Sequence, residues 1–457
     1  MEMKTKNLKI LLLDVGATQE QFSEDRYVNR GLLSIATFLK NKGFFVEYLS
    51  LDEYYLEGIS NLNEKIKRIN KRISREKYDV VAVSNLFFPM FPDTKKILKS
   101  IKKDSPNIIT ILGGYPSSYL AEKIIGDESI DFIIQREGEW ALCNLLNYLQ
   151  GSEKNLKGVV YKDKRGKIVK SVLTPLGDLD EIPSLDYSIL SKSYLEKSPK
   201  INLVFNRGCY FKCNFCSVPI FWGCERRSHN PEKIITELKQ LSKLNYKGKI
   251  SIEDSTLNLK SEKIKDFLIK AKKIKRKYSF DYFVTRYDFI DGESLRLMKQ
   301  LGFNDFVVGL ESASQKVLDN IGKNINLQKF KDFCLWIKDF EINLNVFLMV
   351  GLPGETQETF NETYEFVNDL VKKELISNLF VSYFTPYPGT KAAEKDLKKY
   401  GGKIIVKEDD FSDWVFKKDP LVEYPHLSRE EIKKMYNKLL ALNEKSTSKF
   451  AARFQKK

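Results

Sequence analysis

Histidine is nearly missing from this chain, with two among 457 residues, His229 and His426. Neither lies ahead of residue 229, so no metal bound by the N-terminal part can take an imidazole ligand from it. Long apolar runs are missing as well. No stretch approaches the ~20 residues that a membrane-spanning helix needs. The apolar segment 8–13, closed by Asp14, is too short for a signal-peptide core and lacks a cleavage site. It reads as a first buried strand, and a cytoplasmic location is expected. Cysteine is scarce, six in all, and three of these (Cys143, Cys224 and Cys334) are scattered, which excludes a disulfide framework. There are no repeats or low-complexity tracts, and no nucleic-acid-binding module is recognisable.

Lysine is plentiful, and the formal net charge is +15. The dense stretches, 65–77 and 260–277, carry apolar residues at helical spacing between the charges. They read as the solvated outer faces of amphipathic helices, and nucleic acid is not the expected partner. The length suffices for two or three domains with full cores.

The remaining three cysteines stand together in Arg207-Gly208-Cys209-Tyr210-Phe211-Lys212-Cys213-Asn214-Phe215-Cys216. The spacing is C-x3-C-x2-C. Three thiolates on one tight loop can hold three irons of a cubic 4Fe–4S cluster and leave the fourth iron open to a substrate. The alternative is a closed zinc site, which takes four N or S ligands, usually in two spaced pairs. Cys224 or His229 would have to complete that set. The triplet is a poor zinc pair, and the interleaved Tyr210, Phe211 and Phe215 suit a cluster shielded from water.

Ahead of this loop, short apolar segments alternate with amphipathic ones. Residues 8–14, 45–51, 80–84, 108–112 and 132–135 read as strands, and those near 31–42, 62–75, 93–103, 120–125 and 140–149 as helices. The alternation predicts a doubly wound parallel sheet over 1–150, with any ligand beyond the carboxyl ends of its strands. Those ends carry Ser84-Asn85, Gly113-Gly114-Tyr115 and Glu137-Gly138-Glu139. The paired glycines either admit a large flat ligand to the backbone or only turn the chain tightly into a helix. A connector is expected over 151–198, with a β-hairpin at 158–172 and an acidic, proline-containing stretch at 179–186. Candidate strands resume at 202–206, 249–253, 281–284, 305–309, 343–350 and 379–384. Six βα units over 199–394 predict a partial TIM-like (β/α)6 barrel, whose chemistry lies at the carboxyl ends of its strands. A C-terminal extension over 395–457 holds an acidic-aromatic stretch at 409–416 and an amphipathic helix from Ser428 to about Leu442, with Ser428 as N-cap.

The cysteine loop, with Phe215 ahead of its last cysteine, resembles the signature of the radical S-adenosylmethionine (SAM) superfamily. Gly309-Leu310-Glu311-Ser312, Met349-Val350-Gly351-Leu352-Pro353-Gly354-Glu355 and Pro386-Tyr387-Pro388-Gly389-Thr390 follow in the order of that superfamily's strand-end motifs. The resemblance implies that Cys209, Cys213 and Cys216 hold the cluster and that SAM chelates its open iron. Cleavage of SAM would then release a 5′-deoxyadenosyl radical that takes hydrogen from an unactivated carbon. Contacts to SAM are expected from Glu253, Asp254 and Ser255 at the ammonium group and from Arg286 at the carboxylate. Glu311 and Ser312 are expected at the ribose, Gly351 and Gly354 beside the adenine, and Phe215 through backbone and ring.

The N-terminal region is similar to the cobalamin-binding domain that precedes many radical SAM barrels. Ser84, Gly113, Gly114, Glu137, Gly138 and Glu139 occupy its strand-end positions, with Asn85 and Tyr115 beside them as cofactor contacts. The Asp-x-His-x-x-Gly motif that would place a histidine under cobalt is absent. The two resemblances together imply a 4Fe–4S cluster, SAM and cobalamin as cofactors. They imply radical methylation of an unactivated carbon or phosphorus centre in a small molecule, natural product or peptide. The runner-up is cyclisation, rearrangement or oxidation with the same cofactors, and a non-catalytic zinc- or nucleic-acid-binding protein is a distant third. A monomer served by an external electron donor of flavodoxin or ferredoxin type is expected.

Overall fold

The computed structural model describes residues 8–16, 27–274, 278–406, 411, 414 and 418–454. The chain divides into two compact units. One comprises residues 1–202, 232–248 and 410–412; the other comprises residues 203–231, 249–409 and 413–457.

The first unit is built on β1 (Lys9–Asp14), β2 (Phe45–Ser50), β3 (Val80–Asn85), β4 (Ile109–Gly114) and β5 (Phe132–Ile134), all parallel. The full sheet order is β2-β1-β3-β4-β5-β6-β7, where β6 (Val159–Lys162) and β7 (Ile168–Lys170) are antiparallel additions. This is a doubly wound order, with its switch point between β1 and β3. Ile10 to Leu13, Val80 and Val81 have no exposed surface, as central parallel strands covered on both faces require. The helix Arg30–Asn41 supplies one cover. Its N-cap Asn29 accepts from the Leu32 N–H, and Leu32, Leu33, Ala36 and Leu39 form its buried stripe.

Two features differ from the sequence-based expectation. The hairpin expected in the connector forms the edge of this first sheet, Phe132–Ile134 pairing with Val159–Tyr161. An unexpected short helix, Leu51–Leu56, follows β2 directly, because the Ser50 hydroxyl caps the Asp52 N–H. The acidic connector is gathered by one cation: the Lys233 ammonium donates to the carbonyls of Leu179, Asp180 and Ile182. Beneath it Leu179 and Ile182 pack on Phe38, Trp140 and Cys143.

The second unit begins at the last residue of β8 (Lys200–Leu203). It contains β9 (Asn206–Arg207), β10 (Arg227–Ser228), β11 (Lys249–Leu257), β12 (Ser279–Thr285), β13 (Asp305–Glu311), β14 (Asn343–Val350) and β15 (Asn378–Tyr383). The main sheet runs β15-β14-β13-β12-β11-β8, with β11 to β15 parallel and helices between them. This is the sequential order of a partial (β/α) barrel. Side chains alternate along β14: Leu344, Val346, Leu348 and Val350 are buried, whereas Phe347 on the other face is 37% exposed.

The edge strand β15 is covered by the helix Arg429–Phe454. Tyr436 stacks on Tyr383 at 4.3 Å, Asn443 Oδ1 accepts from the Leu379 N–H at 2.6 Å, and the Ser446 hydroxyl donates to the Ile376 carbonyl at 2.7 Å. Ser428 starts this helix as expected, exchanging bonds with Glu431 in both directions. Of the acidic-aromatic stretch 409–416, all but Phe411 and Trp414 lies outside the described residues. Among the described residues no helix is long and apolar enough to cross a membrane.

Candidate active site

The three clustered cysteines lie on the loop between β9 and β10, whose base is closed by pairing of Arg207 with Arg227 and of Asn206 with Ser228. Gly208 turns the chain into the loop at φ +88°, and a Cβ there would lie 1.9 Å from the Glu225 carbonyl oxygen, so only glycine fits. Asn214, passed over in the sequence, fastens the middle of the loop. Its N–H donates to the Ile321 carbonyl at 2.8 Å, and its Nδ2 donates to the Asn320 carbonyl at 2.7 Å and to the Asp396 carboxylate at 2.8 Å. Its own carbonyl accepts from the Ala392 N–H at 2.9 Å. The Cys216 N–H donates to the Cys213 carbonyl at 3.1 Å, which draws the last two cysteines into one turn.

All three thiols are free and half-buried. Burial pushes the Cys213 thiol up and that of Cys216 up to about 12, while the Lys323 ammonium pulls both down. Metal ligation needs the thiolates, so binding must release those protons. Among the described residues no three His, Cys, Asp or Glu side chains converge as a single ion would require. Three free thiols on a fastened, aromatic-lined loop fit a cubane, whose thiolates sit on separate irons.

Around this loop the strand-end residues take roles that sequence alone did not assign. The buried Asp254 carboxylate accepts from the N–H groups of Phe205 (2.7 Å) and Asn206 (3.1 Å), and from the Asn206 side chain. It staples the entry to the cysteine loop. Glu253, on the opposite face of β11, accepts from the Tyr282 hydroxyl at 3.0 Å, and the strand period puts Ser255 on the same side.

Arg286 was expected to meet a carboxylate of the ligand. It instead forms a bidentate pair with Asp288 (2.9 and 3.0 Å), donates to the Lys323 and Asn324 carbonyls, and lies 3.8 Å over the Phe211 ring. Its role is to anchor the cysteine loop. Ser312 is buried, with its hydroxyl 3.0 Å from that of Thr363 and accepting from the Ser314 N–H, so it ties the end of β13 to its surroundings.

Glu311 takes the left-handed φ of +66°, and its Oε1 lies 2.9 Å from the ammonium of Lys323. Lys323 was not legible in the sequence. A Cβ on Gly309 would sit 2.5 Å from Glu311 Oε1 and 2.9 Å from Lys323 Nζ, so the glycine makes room for this ion pair. Lys323 Nζ is also 5.8 Å from the centre of the Phe215 ring.

Gly351 and Gly354, expected beside an adenine, are instead required by left-handed backbone (φ +80° and +82°), with Ile432 packed over the first and Asn320 and Tyr400 over the second. Glu355 holds this turn from within. Its carboxylate accepts from the Gly351 N–H at 2.6 Å, and burial pushes its carboxyl up to about 7.

In the first unit the expected residues meet along the carboxyl edge of the sheet. Ser84 accepts from Asn29 at 3.2 Å, and Asn29 also donates to the buried Asp14 at 2.8 Å. Gly114 sits at φ +108°, where a Cβ would lie 1.8 Å from the Asn85 carbonyl oxygen; this glycine serves the close approach of β3 and β4. A Cβ on Gly113 would meet only Ile134 Cβ, at an ordinary contact distance of 4.0 Å. Tyr115 heads the short helix Tyr115–Tyr119. Gly138 lets its helix press on Ile35, Glu137 is buried, and Glu139 accepts from the Ser34 hydroxyl at 2.5 Å, so this trio serves packing of the helix Gly138–Leu149.

Asn85 is fully buried with neither side-chain Oδ1 nor Nδ2 partnered, and Gln135 Oε1 is also buried without a partner. Both lie at strand ends flanking the glycine pair. Orphaned amides at that edge fit a cofactor rich in carboxamide groups, which cobalamin is.

Comparison with known proteins agrees with this reading. Residues 23–146 match the B12 binding domain, and residues 203–367 match the radical SAM superfamily. The chain is 27% identical over 399 residues to an uncharacterized methyltransferase of Pyrococcus horikoshii, covering 85% of this chain and 83% of that one. It is 27% identical over 402 residues to the anaerobic magnesium-protoporphyrin IX monomethyl ester cyclase of Rubrivivax gelatinosus, covering 83% and 69%. Among solved structures, the radical SAM methyltransferase TsrM of Kitasatospora setae shares the fold with a TM-score of 0.75 at 15% identity, covering 96% of this chain and 91% of that one. The cobalamin-dependent radical SAM enzyme OxsB gives a TM-score of 0.69 at 18% identity over 82% of this chain, which spans 53% of the OxsB chain. This protein is therefore a radical SAM enzyme with a B12-binding domain ahead of its partial barrel, and its cofactors are a 4Fe–4S cluster, SAM and cobalamin.

Proposed function

We propose that the enzyme methylates an unactivated carbon or phosphorus centre of a small molecule, natural product or peptide. The observation that carries this is the joint presence of an open three-thiol loop and a B12-binding domain in a chain similar to proteins named as methyltransferases. When bound, the cluster and SAM supply a hydrogen-abstracting radical, and the corrinoid supplies a transferable methyl group. The protein's own part is to hold and shield. Cys209, Cys213 and Cys216 ligate the cluster, Asn214 and Arg286 fix their loop, and Phe211 and Phe215 exclude water. In this reading Glu253, Ser255 and Glu311 help to orient SAM, and Asn85, Gly113 and Gln135 help to take the corrinoid. An external low-potential donor of flavodoxin or ferredoxin type supplies electrons.

The test is incubation of anaerobically reconstituted protein with methyl-labelled SAM and candidate substrates suggested by neighbouring genes. Methylation predicts 5′-deoxyadenosine, S-adenosylhomocysteine and labelled product together. Deoxyadenosine with an unlabelled, altered product would instead establish the second reading, cyclisation or oxidation, which the likeness to a cyclase favours.

A further inference from the structure

Lys323 is a buried cation that the proposed chemistry has not used. It is 9% exposed, paired with Glu311 at 2.9 Å, and lies beside Phe215, between the second and third cluster cysteines. Its position relative to the cysteine loop is fixed from three sides. Asn214, the residue after Cys213, is bonded to Asn320 and Ile321, just ahead of Lys323. Arg286 donates to the Lys323 and Asn324 carbonyls while lying on Phe211 of the loop. Gly309 leaves the space that the ion pair fills. The ammonium of the pair lies at the loop itself, 5.8 Å from the centre of the Phe215 ring.

We propose that Lys323 is a positioning residue for the electron that enters the cluster: a fixed cation, held by Glu311, that raises the cluster's reduction potential. This inference rests on the assignment of the cluster to Cys209, Cys213 and Cys216. Reduction adds one electron from the external donor to the cluster, with no bond broken and no proton taken up. The cluster's negative charge grows, so a nearby fixed positive charge favours the reduced form and a nearby negative charge opposes it. The effect is large where water is excluded, because the field is weakly screened there.

The experiment is a mediated redox titration of the anaerobically reconstituted full-length protein without SAM, followed by the EPR signal of the reduced cluster. Lys323→Met is expected to lower the midpoint potential, Glu311→Gln to raise it, and Lys323→Arg to leave it near the wild-type value. Lys323→Met strands a buried carboxylate and is open to misfolding. The double variant with Glu311→Gln strands no charge and is expected to lie below the Glu311→Gln single variant, because it removes the cation. Midpoints unmoved in Glu311→Gln and the double variant, with iron content and spectra intact, would overturn the inference, as would both single variants shifting in the same direction. Wild-type protein that assembles no 4Fe–4S signal overturns the cluster assignment itself, and this inference with it.

Discussion

Gly309 shows how a single residue is chosen by what it omits. The Glu311–Lys323 pair occupies the space where its side chain would stand. Gly309→Ala is expected to displace that pair and to cost about 1–3 kcal/mol, read as a lower urea midpoint. Alanine at Cys209, Cys213 or Cys216 should abolish deoxyadenosine formation, and retained formation in any of the three would disprove the cluster assignment. These cysteines were legible in the sequence because their chemistry depends on spacing along one short loop. The roles of Asp254 and Arg286 were not legible. Each sits at a strand end, where an outward ligand contact and an inward staple look alike in sequence. The choice was made by Phe205 and Asn206 for the first and by Asp288 and Phe211 for the second.

Among the elements, β15 is the one with most at stake, because it ends the barrel sheet and would otherwise offer an open edge. The C-terminal helix closes it with two polar ties, from Asn443 to the Leu379 N–H and from Ser446 to the Ile376 carbonyl. Replacing both residues with alanine is expected to cost roughly 1–3 kcal/mol and to promote self-association, measured by urea unfolding and light scattering. The helix itself was legible from its apolar period and its cap at Ser428. Its docking partner was not, since an amphipathic stripe states that a face is covered without saying by what. The same holds for the hairpin Val159–Lys170, whose turn was evident while its place at the edge of the first sheet depended on the open side of β5.

At the scale of the whole molecule, buried acids shape the response to pH. Glu355 is pushed up to about 7, and Asp14 to about 6, both chiefly by burial. An unfolded chain titrates such groups near 4. Between roughly pH 4 and 7 the native state therefore holds protons that the unfolded chain has released, and their contribution to stability falls as pH rises through that window. Glu355→Gln keeps an acceptor for the Gly351 N–H without the buried charge. It should leave stability near pH 4 little changed and raise it near pH 8 by up to about 3 kcal/mol, at about 1.4 kcal/mol per tenfold change in proton affinity. Unfolding measured at both pH values checks this, and a variant that loses stability at pH 8 would show the charge to be needed. By itself the sequence determined the two α/β architectures, the strand order along the chain and the metal-binding loop, because hydrophobic period and cysteine spacing are local properties. Tertiary structure alone decided which strand-end residues hold the scaffold, and it alone revealed Lys323. A buried cation is stable only where a carboxylate meets it, and that meeting joins the end of a barrel strand to a turn after the next helix.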